Sequence, residues 1–208
     1  MRAIYFGHSA FRFDFGKSVV LIDPFLSGNP HFKGNVVEAT KGTPHILLSH
    51  GHGDHVGDTV EIAERTGAEV ICSPELGAWL SFKGVTSLVR ANTGGTVCFE
   101  DFSVTLTQAF HTSSQAGPDG LPVYTGMPNG LVVAFTEGPT VYHMGDTAIF
   151  GDMALINEIY QPTVGLVPMG GHFTMDSEIA ALACRRFFSF GKVVPIHWGT
   201  MPVLAHSP

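Results

Sequence analysis

The amino-acid sequence predicts one α/β domain over residues 1–208, a four-layer αββα sandwich in which two β-sheets face each other and helices lie outside. A length of 208 residues suits one domain, or two small halves that share one core. Hydrophobic residues make up 44% of the chain and charged residues only 14%, so most of it is buried. Phe11–Asp23 and Ala134–Asp146 share a pattern of strand, glycine turn and strand that ends in aspartate, which suggests two similar halves.

The first half of the chain is predicted to contain short strands and one short helix. Asp58 is expected to cap a helix over Thr59–Arg65, with Gly67 at its C-terminal end. A Gly16-Lys17 turn separates the second strand from the third. The predicted strands are Ala3–Tyr5, Phe11–Phe15, Val19–Ile22, Pro44–Ser49 and Glu69–Cys72.

The second half contains the clearest helix signal of the sequence. Asp176 is expected to cap a helix over Ser177–Phe190. The apolar residues of this segment recur at helical spacing and form one apolar stripe, which consists of Ile179, Leu182, Ala183, Phe187 and Phe190. The predicted strands of this half are Val97–Phe99, Val104–Gln108, Leu131–Phe135, Thr140–Met144 and Val193–Ile196.

The composition excludes several classes of protein. Eighteen acidic and 11 basic residues give a net charge of −7, whereas a nucleic-acid-binding protein needs a basic surface. The high hydrophobic content excludes intrinsic disorder. No apolar run approaches the roughly 20 residues of a membrane span. The N-terminal segment MRAIYFGHSAF lacks the apolar stretch and cleavage site of a signal peptide, so we expect a cytoplasmic protein.

The three cysteines do not form a metal-binding motif. Cys72, Cys98 and Cys184 are isolated in the sequence and odd in number, so we expect reduced core residues, without a disulfide framework. Histidine, by contrast, is as frequent as lysine and arginine together, at 11 residues. A bound metal must therefore be held by histidines and carboxylates.

Four potential metal ligands are crowded into Ser49–His55 (SHGHGDH), directly after a predicted buried strand. Glycines at positions 51 and 53 allow the backbone to turn so tightly that alternate side chains converge. His50 and His52 could bind one cation, and Asp54 and His55 a second. The alternative is a solvated histidine-rich loop, which needs neither this spacing nor the preceding strand.

Three further candidate ligands follow predicted strands elsewhere in the chain. His111, Asp146 and His197 each come directly or almost directly after a strand end. One histidine in such a position is usually structural. Together with the loop, however, they give five histidines and two aspartates, which is the ligand count for two metals bridged by Asp146 and a water molecule.

These residues resemble a known signature. HGHGDH at His50–His55 is similar to the H-x-H-x-D-H signature of the metallo-β-lactamase superfamily, and the later His, Asp and His follow in that superfamily's order. Other segments resemble the bacterial branch of metal-dependent hydrolases close to the ascorbate-6-phosphate lactonases, nearly from end to end. These segments are GHSAF (Gly7–Phe11), LIDPFLSGNP (Leu21–Pro30), YHMGDT (Tyr142–Thr147), GGHFTMD (Gly170–Asp176) and PIHWGTMP (Pro195–Pro202).

The resemblance implies a metal-dependent hydrolase with two divalent ions and a hydroxide between them as the nucleophile. Metal ions lower the pKa of bound water from about 15.7 to about 7. Asp146 would bridge the two ions, and Asp54 would be catalytic as well as a ligand, because it can orient the hydroxide or carry a proton. The implied ligands are His50, His52 and His111 for the first metal, and Asp54, His55 and His197 for the second.

Zinc is the expected metal and manganese the next, since the ligands are all nitrogen and oxygen and the lactonases are the nearest resemblance; iron and nickel also suit this set. His8, in the turn after the first strand, is expected either to contact substrate or support a metal ligand, or only to pack or lie exposed. His172 lies before a helix N-terminus, where an anionic substrate group would be stabilised. Asp23 is expected to hydrogen-bond a ligand histidine or the adjacent backbone.

The expected substrate is a small molecule with a lactone, ester, amide or phosphoester bond. A phosphodiesterase or nuclease could use the same metal core, but its substrate would favour a basic rim. A metal-binding sensor without turnover is the alternative from another class, and a homo-oligomer is left open. The loop Thr112–Gly130 follows His111 and is predicted either to select substrate over the metal site or simply to connect two strands.

Overall fold

The computed structural model describes residues 1–16 and 18–207. Half of the predicted Gly16-Lys17 turn, at Lys17, therefore lies outside the described residues. The chain forms two compact units. The first consists of Met1–Asn92 and Thr112–Met127, and the second of Thr93–His111 and the chain from Pro128 onward. The prediction of a single domain stays a prediction.

The helices and strands follow one another in this order through the described residues. The chain begins with β1 (Arg2–Gly7), β2 (Ala10–Phe15), β3 (Ser18–Ile22), α1 (Val36–Ala39), β4 (His45–Leu47), α2 (Gly53–Val56), α3 (Thr59–Thr66), β5 (Glu69–Cys72), α4 (Pro74–Phe82) and β6 (Leu88–Arg90). Then come β7 (Thr96–Cys98), β8 (Phe102–Gln108), β9 (Ser114–Ala116), β10 (Pro122–Tyr124), β11 (Asn129–Phe135), β12 (Thr140–His143), α5 (Met153–Tyr160), β13 (Val164–Pro168), α6 (Ser177–Phe187) and β14 (Lys192–Ile196).

A six-stranded sheet in the order β1-β2-β3-β4-β5-β6 is the centre of the first unit. Its first three strands pair antiparallel, and β3 to β6 pair parallel. The carboxyl ends of parallel strands meet at one edge of a sheet, so the residues after β3 and β4 lie near each other there. Helices α3 and α4 pack on this sheet through a core that includes Leu21, Ile46, Ile62, Val70, Leu76 and Leu80.

The second unit also contains a six-stranded sheet, in the order β14-β13-β12-β11-β8-β7. Strands β7, β8, β11 and β12 pair antiparallel, whereas β12, β13 and β14 pair parallel. The residues that follow β12 and β14 therefore leave the sheet at the same edge. Helices α5 and α6 contribute to a core that includes Val132, Tyr142, Met153, Val167, Ala183 and Phe188.

The pattern shared by the two halves of the sequence corresponds to a shared hairpin. In the first unit β2 and β3 form an antiparallel pair, and β3 then pairs parallel with β4. In the second unit β11 and β12 form an antiparallel pair, and β12 pairs parallel with β13. Asp23 follows the end of the first hairpin, and Asp146 follows the end of the second.

The predicted cap of α3 is wrong at one end and confirmed at the other. Gly67 ends the helix in the left-handed conformation, at φ 72°. Asp58 precedes the helix, but its carboxylate makes no capping hydrogen bond. Instead it accepts hydrogen bonds from the backbone N–H groups of Leu26 and Ser27, at 2.8 and 2.9 Å, and from the Ser27 hydroxyl. A distant loop therefore takes the acceptor that the local pattern assigned to the helix.

Helix α6 begins as predicted and ends earlier. Asp176 caps it by accepting a hydrogen bond from the Ile179 N–H at 2.8 Å. The helix ends at Phe187, because Phe188 adopts an extended conformation and turns into the core. Within the apolar stripe Leu182 is 39% exposed, and Ala180 and Ala183 are the buried residues of the helix. The prediction that the helix continues to Phe190 is wrong.

Several elements have no counterpart in the sequence-based prediction. Among the described residues these are α1, α2, α4, α5, β6, β9, β10 and β13. Helix α4 contains Gly77, which weakens its internal signal, although Ser73 in the N-cap position and Pro74 at the first helical position suit a helix start. Cys98 is exposed, which corrects its expected place in the core, and all three cysteines are free.

Candidate metal centre

The histidine-rich segment of the first unit turns directly from a strand into a short helix. Strand β4 ends at Leu47, and α2 begins at Gly53, within the motif. His50 and His55 are buried, at 1% and 0% exposure. A solvated loop does not bury its histidines in this way, so the structure favours the predicted convergence of side chains.

Asp23 contacts the histidine-rich segment through three hydrogen bonds, with Ser49 and His55. One carboxylate oxygen, Oδ1, accepts from the backbone N–H of Ser49 at 2.8 Å. The other, Oδ2, accepts from the Ser49 hydroxyl at 2.6 Å and lies 2.7 Å from Nδ1 of His55. All three residues are buried. The hydrogen bond predicted between Asp23 and a candidate ligand histidine is therefore present.

This network fixes which nitrogen of each imidazole carries the proton. An ionised carboxylate can only accept, so His55 donates from Nδ1 and its Nε2 has a lone pair. The Ser49 hydroxyl uses its only proton on Asp23, so the contact of 3.0 Å between its oxygen and Nδ1 of His50 is donated by the imidazole. Both His50 and His55 consequently direct a lone pair through Nε2, which is the form that binds a metal.

His50 and His52 face each other through nitrogen atoms. Nε2 of His50 lies 3.0 Å from Nδ1 of His52, and the Thr112 hydroxyl lies 3.3 Å from Nε2 of His52. Because the network gives His50 a lone pair on Nε2, a proton or a cation has to lie between the two rings. Two nitrogens that bind one ion at about 2.1 Å each are about 3.0–3.4 Å apart. The observed separation therefore fits a shared cation.

Asp54 is paired with a histidine from the β1–β2 turn. Nε2 of His8 lies 3.0 Å from Oδ2 of Asp54, and the His8 side chain is fully buried whereas that of Asp54 is 20% exposed. Ligand atoms of His8, Asp54 and His55 all lie within 4.8 Å of one another. His8 therefore adds a possible donor outside the H-x-H-x-D-H signature.

A hairpin that sequence analysis treated only as a loop is anchored on the same segment. The hydroxyl of Ser113 accepts a hydrogen bond from the Gly51 N–H at 3.0 Å and lies 2.8 Å from the hydroxyl of Thr125. Ser113 and Thr125 are buried, and a Cβ atom at Gly51 would collide with the Thr125 hydroxyl. Glycine at position 51 is thus required by this close approach. The sequence signal was the position of Ser113 two residues after His111.

In the second unit, one carboxylate draws two histidines together. Oδ2 of Asp146 lies 2.9 Å from Nε2 of His197 and 3.5 Å from Nε2 of His111. Asp146 and His197 are buried, while His111 retains slight exposure. The three candidate ligands that the sequence placed after separate strands therefore meet in the structure.

Two neighbours hold this group in place. The hydroxyl of Thr147 accepts from the N–H of Phe110 at 3.0 Å and thereby ties the segment before His111 to the one after Asp146. Gly170 allows the end of β13 to approach the His197 backbone so closely that a Cβ atom would collide with its carbonyl oxygen. Both contacts, between Thr147 and Phe110 and between Gly170 and His197, join residues that are far apart in the sequence.

Backbone strain coincides with the predicted functional residues. Among the described residues other than glycine, five have positive φ: His8, Asp23, Gln161, His172 and His197. Four of these were selected from the sequence for other reasons. Left-handed conformations of such residues are sparsely populated and occur preferentially at functional sites, where the surrounding structure maintains them.

His172 differs from the other candidates. It lies in the exposed loop before α6, and its ring packs edge-on against Phe173, with centroids 4.5 Å apart. Asp176 occupies an N–H group at the start of this helix, as described above. Contact between His172 and substrate stays a prediction.

The donor set fits a divalent metal. Each unit brings together imidazole nitrogens and a carboxylate in a largely buried position, where uncompensated charge is costly. The paired donor atoms are 2.9–3.0 Å apart in three pairs, His8–Asp54, His50–His52 and His197–Asp146. Burial raises the pKa of the Cys72 thiol to about 12, which leaves this residue as a neutral core group. Nitrogen and oxygen donors of this kind suit zinc, manganese, iron or nickel.

Comparison with known proteins places this fold and these residues in a family. Residues 19–198 match the family described as "Beta-lactamase superfamily domain". The chain belongs to the metallo-β-lactamase superfamily, which confirms the resemblance found in the sequence and the predicted α/β fold.

The relatives are described as metal-dependent hydrolases. A UPF0173 metal-dependent hydrolase of Agrobacterium fabrum is 54% identical over 209 residues, which cover 100% of this chain and 89% of that protein. One of Brucella abortus is 52% identical over 98% of this chain and 86% of its own length. The solved structure of Igni18, a metallo hydrolase from Ignicoccus hospitalis, has a TM-score of 0.85 and 35% identity, covering 99% of this chain and 86% of that one.

The chain is thus a metal-dependent hydrolase with histidine and aspartate groups able to bind metal. This confirms the predicted class of enzyme. None of the described helices has the length and apolar character needed to cross a membrane.

Proposed function

We propose that the protein hydrolyses a lactone, ester, amide or phosphoester bond of a small molecule at a dinuclear metal site. The supporting observation is the hydrogen-bond network of Asp23, which leaves Nε2 of both His50 and His55 with a lone pair. The proposed ligands are His50, His52 and His111 for one ion, Asp54, His55 and His197 for the other, and Asp146 as the bridge. Zinc is the proposed metal and manganese the next.

Bound divalent ions would lower the pKa of a coordinated water molecule and polarise the bond under attack. The chain's own residues have separate tasks. Asp54 is partly exposed, whereas its partner His8 is fully buried. Asp54 orients the attacking water and carries a proton towards the leaving group. Asp23 holds His55 in one tautomer and one orientation.

The first test is metal content by mass spectrometry, on protein purified without added metal or chelator. We expect close to two metal ions per chain. The double variant His50→Ala/Asp146→Ala should lose both the metal and hydrolysis, while His206→Ala, which removes an exposed histidine, should retain them. Failure of the wild-type protein to take up zinc or manganese would refute the proposal.

Turnover separates the proposal from its alternatives. We expect lactone or ester substrates to be hydrolysed faster than a phosphodiester such as bis(p-nitrophenyl) phosphate, because only 11 lysines and arginines are available to bind anionic substrates. The reverse order would favour a phosphodiesterase or nuclease. Two bound metals without turnover of any of these substrates would favour a sensor.

We further propose that the β9–β10 hairpin binds the apolar part of the substrate. Three large apolar side chains are exposed within one short segment: Leu121 at 65%, Tyr124 at 62% and Met127 at 58%. Large apolar side chains clustered on a surface commonly mark a binding site. Ser113 and Thr125 anchor this segment at Gly51, between two of the proposed ligands.

Hairpin variants test this role without touching a proposed ligand. Leu121→Ser/Tyr124→Ser should raise KM several-fold for substrates with long apolar groups, with less effect on kcat and on short substrates. Phe82→Ser is the matched control, since Phe82 is 86% exposed at the end of α4 in the same unit. Equal KM values for the hairpin variant and the control across a series of chain lengths would contradict the proposal.

Partners and cellular location also stay predictions. We expect a small-molecule substrate, no nucleic acid and no membrane, in the cytoplasm, and size-exclusion chromatography with light scattering would determine whether the chain forms a homo-oligomer.

A further inference from the structure

We propose that His8 is a metal ligand of the first unit. This role differs from the substrate contact that the sequence suggested. This inference rests on the metal site proposed above and adds a nitrogen donor outside the H-x-H-x-D-H signature. It would give the ion bound by Asp54 and His55 a third ligand from the same unit, a set of two histidines and one carboxylate.

The position of His8 supports a donor that is held for a purpose. Its side chain is fully buried, and its backbone has φ 56° in the turn between β1 and β2. The hydroxyl of Tyr5 donates a hydrogen bond to the His8 carbonyl at 2.9 Å, and the ring of Phe25 packs edge-on against the imidazole, with centroids 5.6 Å apart. The surrounding residues therefore maintain both a strained backbone and a fixed ring.

The nitrogen that faces the carboxylate favours ligation over support. Ligand histidines that bind metal through Nε2 use Nδ1 for hydrogen bonds to supporting groups. His55 meets Asp23 through Nδ1, as expected for such support. His8 meets Asp54 through Nε2, at 3.0 Å, and this distance equals the separation expected for two ligands of one ion. Asp54 is itself a proposed ligand, so His8 and Asp54 lie side by side around a common point.

The alternative is that His8 only donates a hydrogen bond to Asp54 and thereby positions it. Two substitutions separate these roles. His8→Gln retains an N–H donor but removes the imidazole, whereas His8→Ala removes both. A ligand role predicts that both variants lose at least about 100-fold in affinity for the second zinc ion, whereas a positioning role predicts that His8→Gln is close to wild type. His45→Gln is the matched control, because His45 lies in the same unit on β4 and outside the donor set.

A measurement on the wild-type protein avoids dependence on folding of the variants. The chain labelled with ¹⁵N-histidine and loaded with ¹¹³Cd should show a ¹¹³Cd–¹⁵N coupling at Nε2 of His8, assigned by its absence in His8→Gln. A retained Nε2–H of His8 in the two-metal protein would overturn the inference while leaving the proposed function intact. Failure of the wild-type protein to bind metal would overturn both.

Discussion

The hydrogen bonds of Asp23 lead to a quantitative prediction for the variant Asp23→Asn. Asparagine has nearly the same shape and tolerates the left-handed backbone of this position, at φ 44°. Its amide oxygen can still accept from the Ser49 N–H. Its NH₂ group, however, replaces the oxygen that accepts from the Ser49 hydroxyl and from His55. The hydrogen bond donated by the Ser49 hydroxyl is therefore lost, the one with His55 becomes a weaker neutral bond donated by the amide, and the third is retained.

The expected loss of stability follows from this count. A hydrogen bond to a charged group contributes about 1.5–3 kcal/mol, and the Ser49 hydroxyl can rotate to another acceptor, so we expect a loss of about 3 kcal/mol. The effect on metal binding has a separate cause. The NH₂ group of asparagine donates to Nδ1 of His55, which moves the imidazole proton to Nε2 and removes the ligand lone pair. Loss of such a supporting group typically lowers metal affinity about 10–100-fold.

Urea unfolding of the metal-free protein measures the first effect, and competition with a chromogenic chelator measures the second. The matched control is Asp14→Asn, the same chemical change at a residue that pairs with Arg12 at 2.7 Å near the surface. Surface ion pairs contribute about 0–1 kcal/mol, so this variant should be nearly as stable as the wild type and bind metal equally well. If Asp23→Asn retains wild-type zinc affinity and Nδ1 protonation of His55 by ¹⁵N NMR, Asp23 does not determine the tautomer of His55.

Three further predictions concern other parts of the chain. Gly170→Ala should destabilise the protein by about 3 kcal/mol in urea unfolding, because its Cβ collides with the His197 carbonyl; an unchanged midpoint would contradict this. Cys98 is exposed and should react with a thiol reagent in the native protein, whereas Cys72, with its pKa raised to about 12 by burial, should react only on unfolding. Burial lowers the pKa of His45 below 6.5, against an opposing effect of Glu69. Below pH 6.5 the unfolded chain thus takes up a proton first, and stability falls with falling pH. Urea unfolding at several pH values should show a shallower dependence in His45→Gln than in the wild type, and the same slope in both would contradict the burial effect.

The sequence predicts those features that depend on neighbours along the chain. The strand Glu69–Cys72 has the predicted bounds, because an apolar run between turn residues needs only local pattern to be recognised. The cap of α6 by Asp176 is equally local. The H-x-H-x-D-H spacing identified four candidate ligands, and the strand ends identified three more, since the carboxyl ends of parallel strands gather at one edge.

Other features depend on residues far apart in the sequence. The sequence predicts Asp58 as a helix cap, but its carboxylate binds the backbone of Leu26 and Ser27, which precede it by 32 and 31 residues. The anchoring of Gly51 by Ser113 spans 62 positions. Propensity and spacing contain no information on such pairs, because the choice of hydrogen-bond partner is made by tertiary packing. Helix α4, which the sequence did not predict, illustrates the same limit. Burial of Leu76 and Leu80 stabilises this helix although it contains glycine.

The two hairpin aspartates show how similar local sequences acquire different roles. Asp23 and Asp146 both follow the second strand of an antiparallel hairpin that continues into a parallel pair. Asp23 meets its histidine at Nδ1, opposite the nitrogen that keeps a lone pair, whereas Asp146 meets His197 at Nε2. A carboxylate at Nδ1 stabilises the ligand form of the imidazole, and one at Nε2 occupies the side where the metal binds. The same residue type at corresponding hairpin positions is therefore a supporting group in one unit and a candidate ligand in the other.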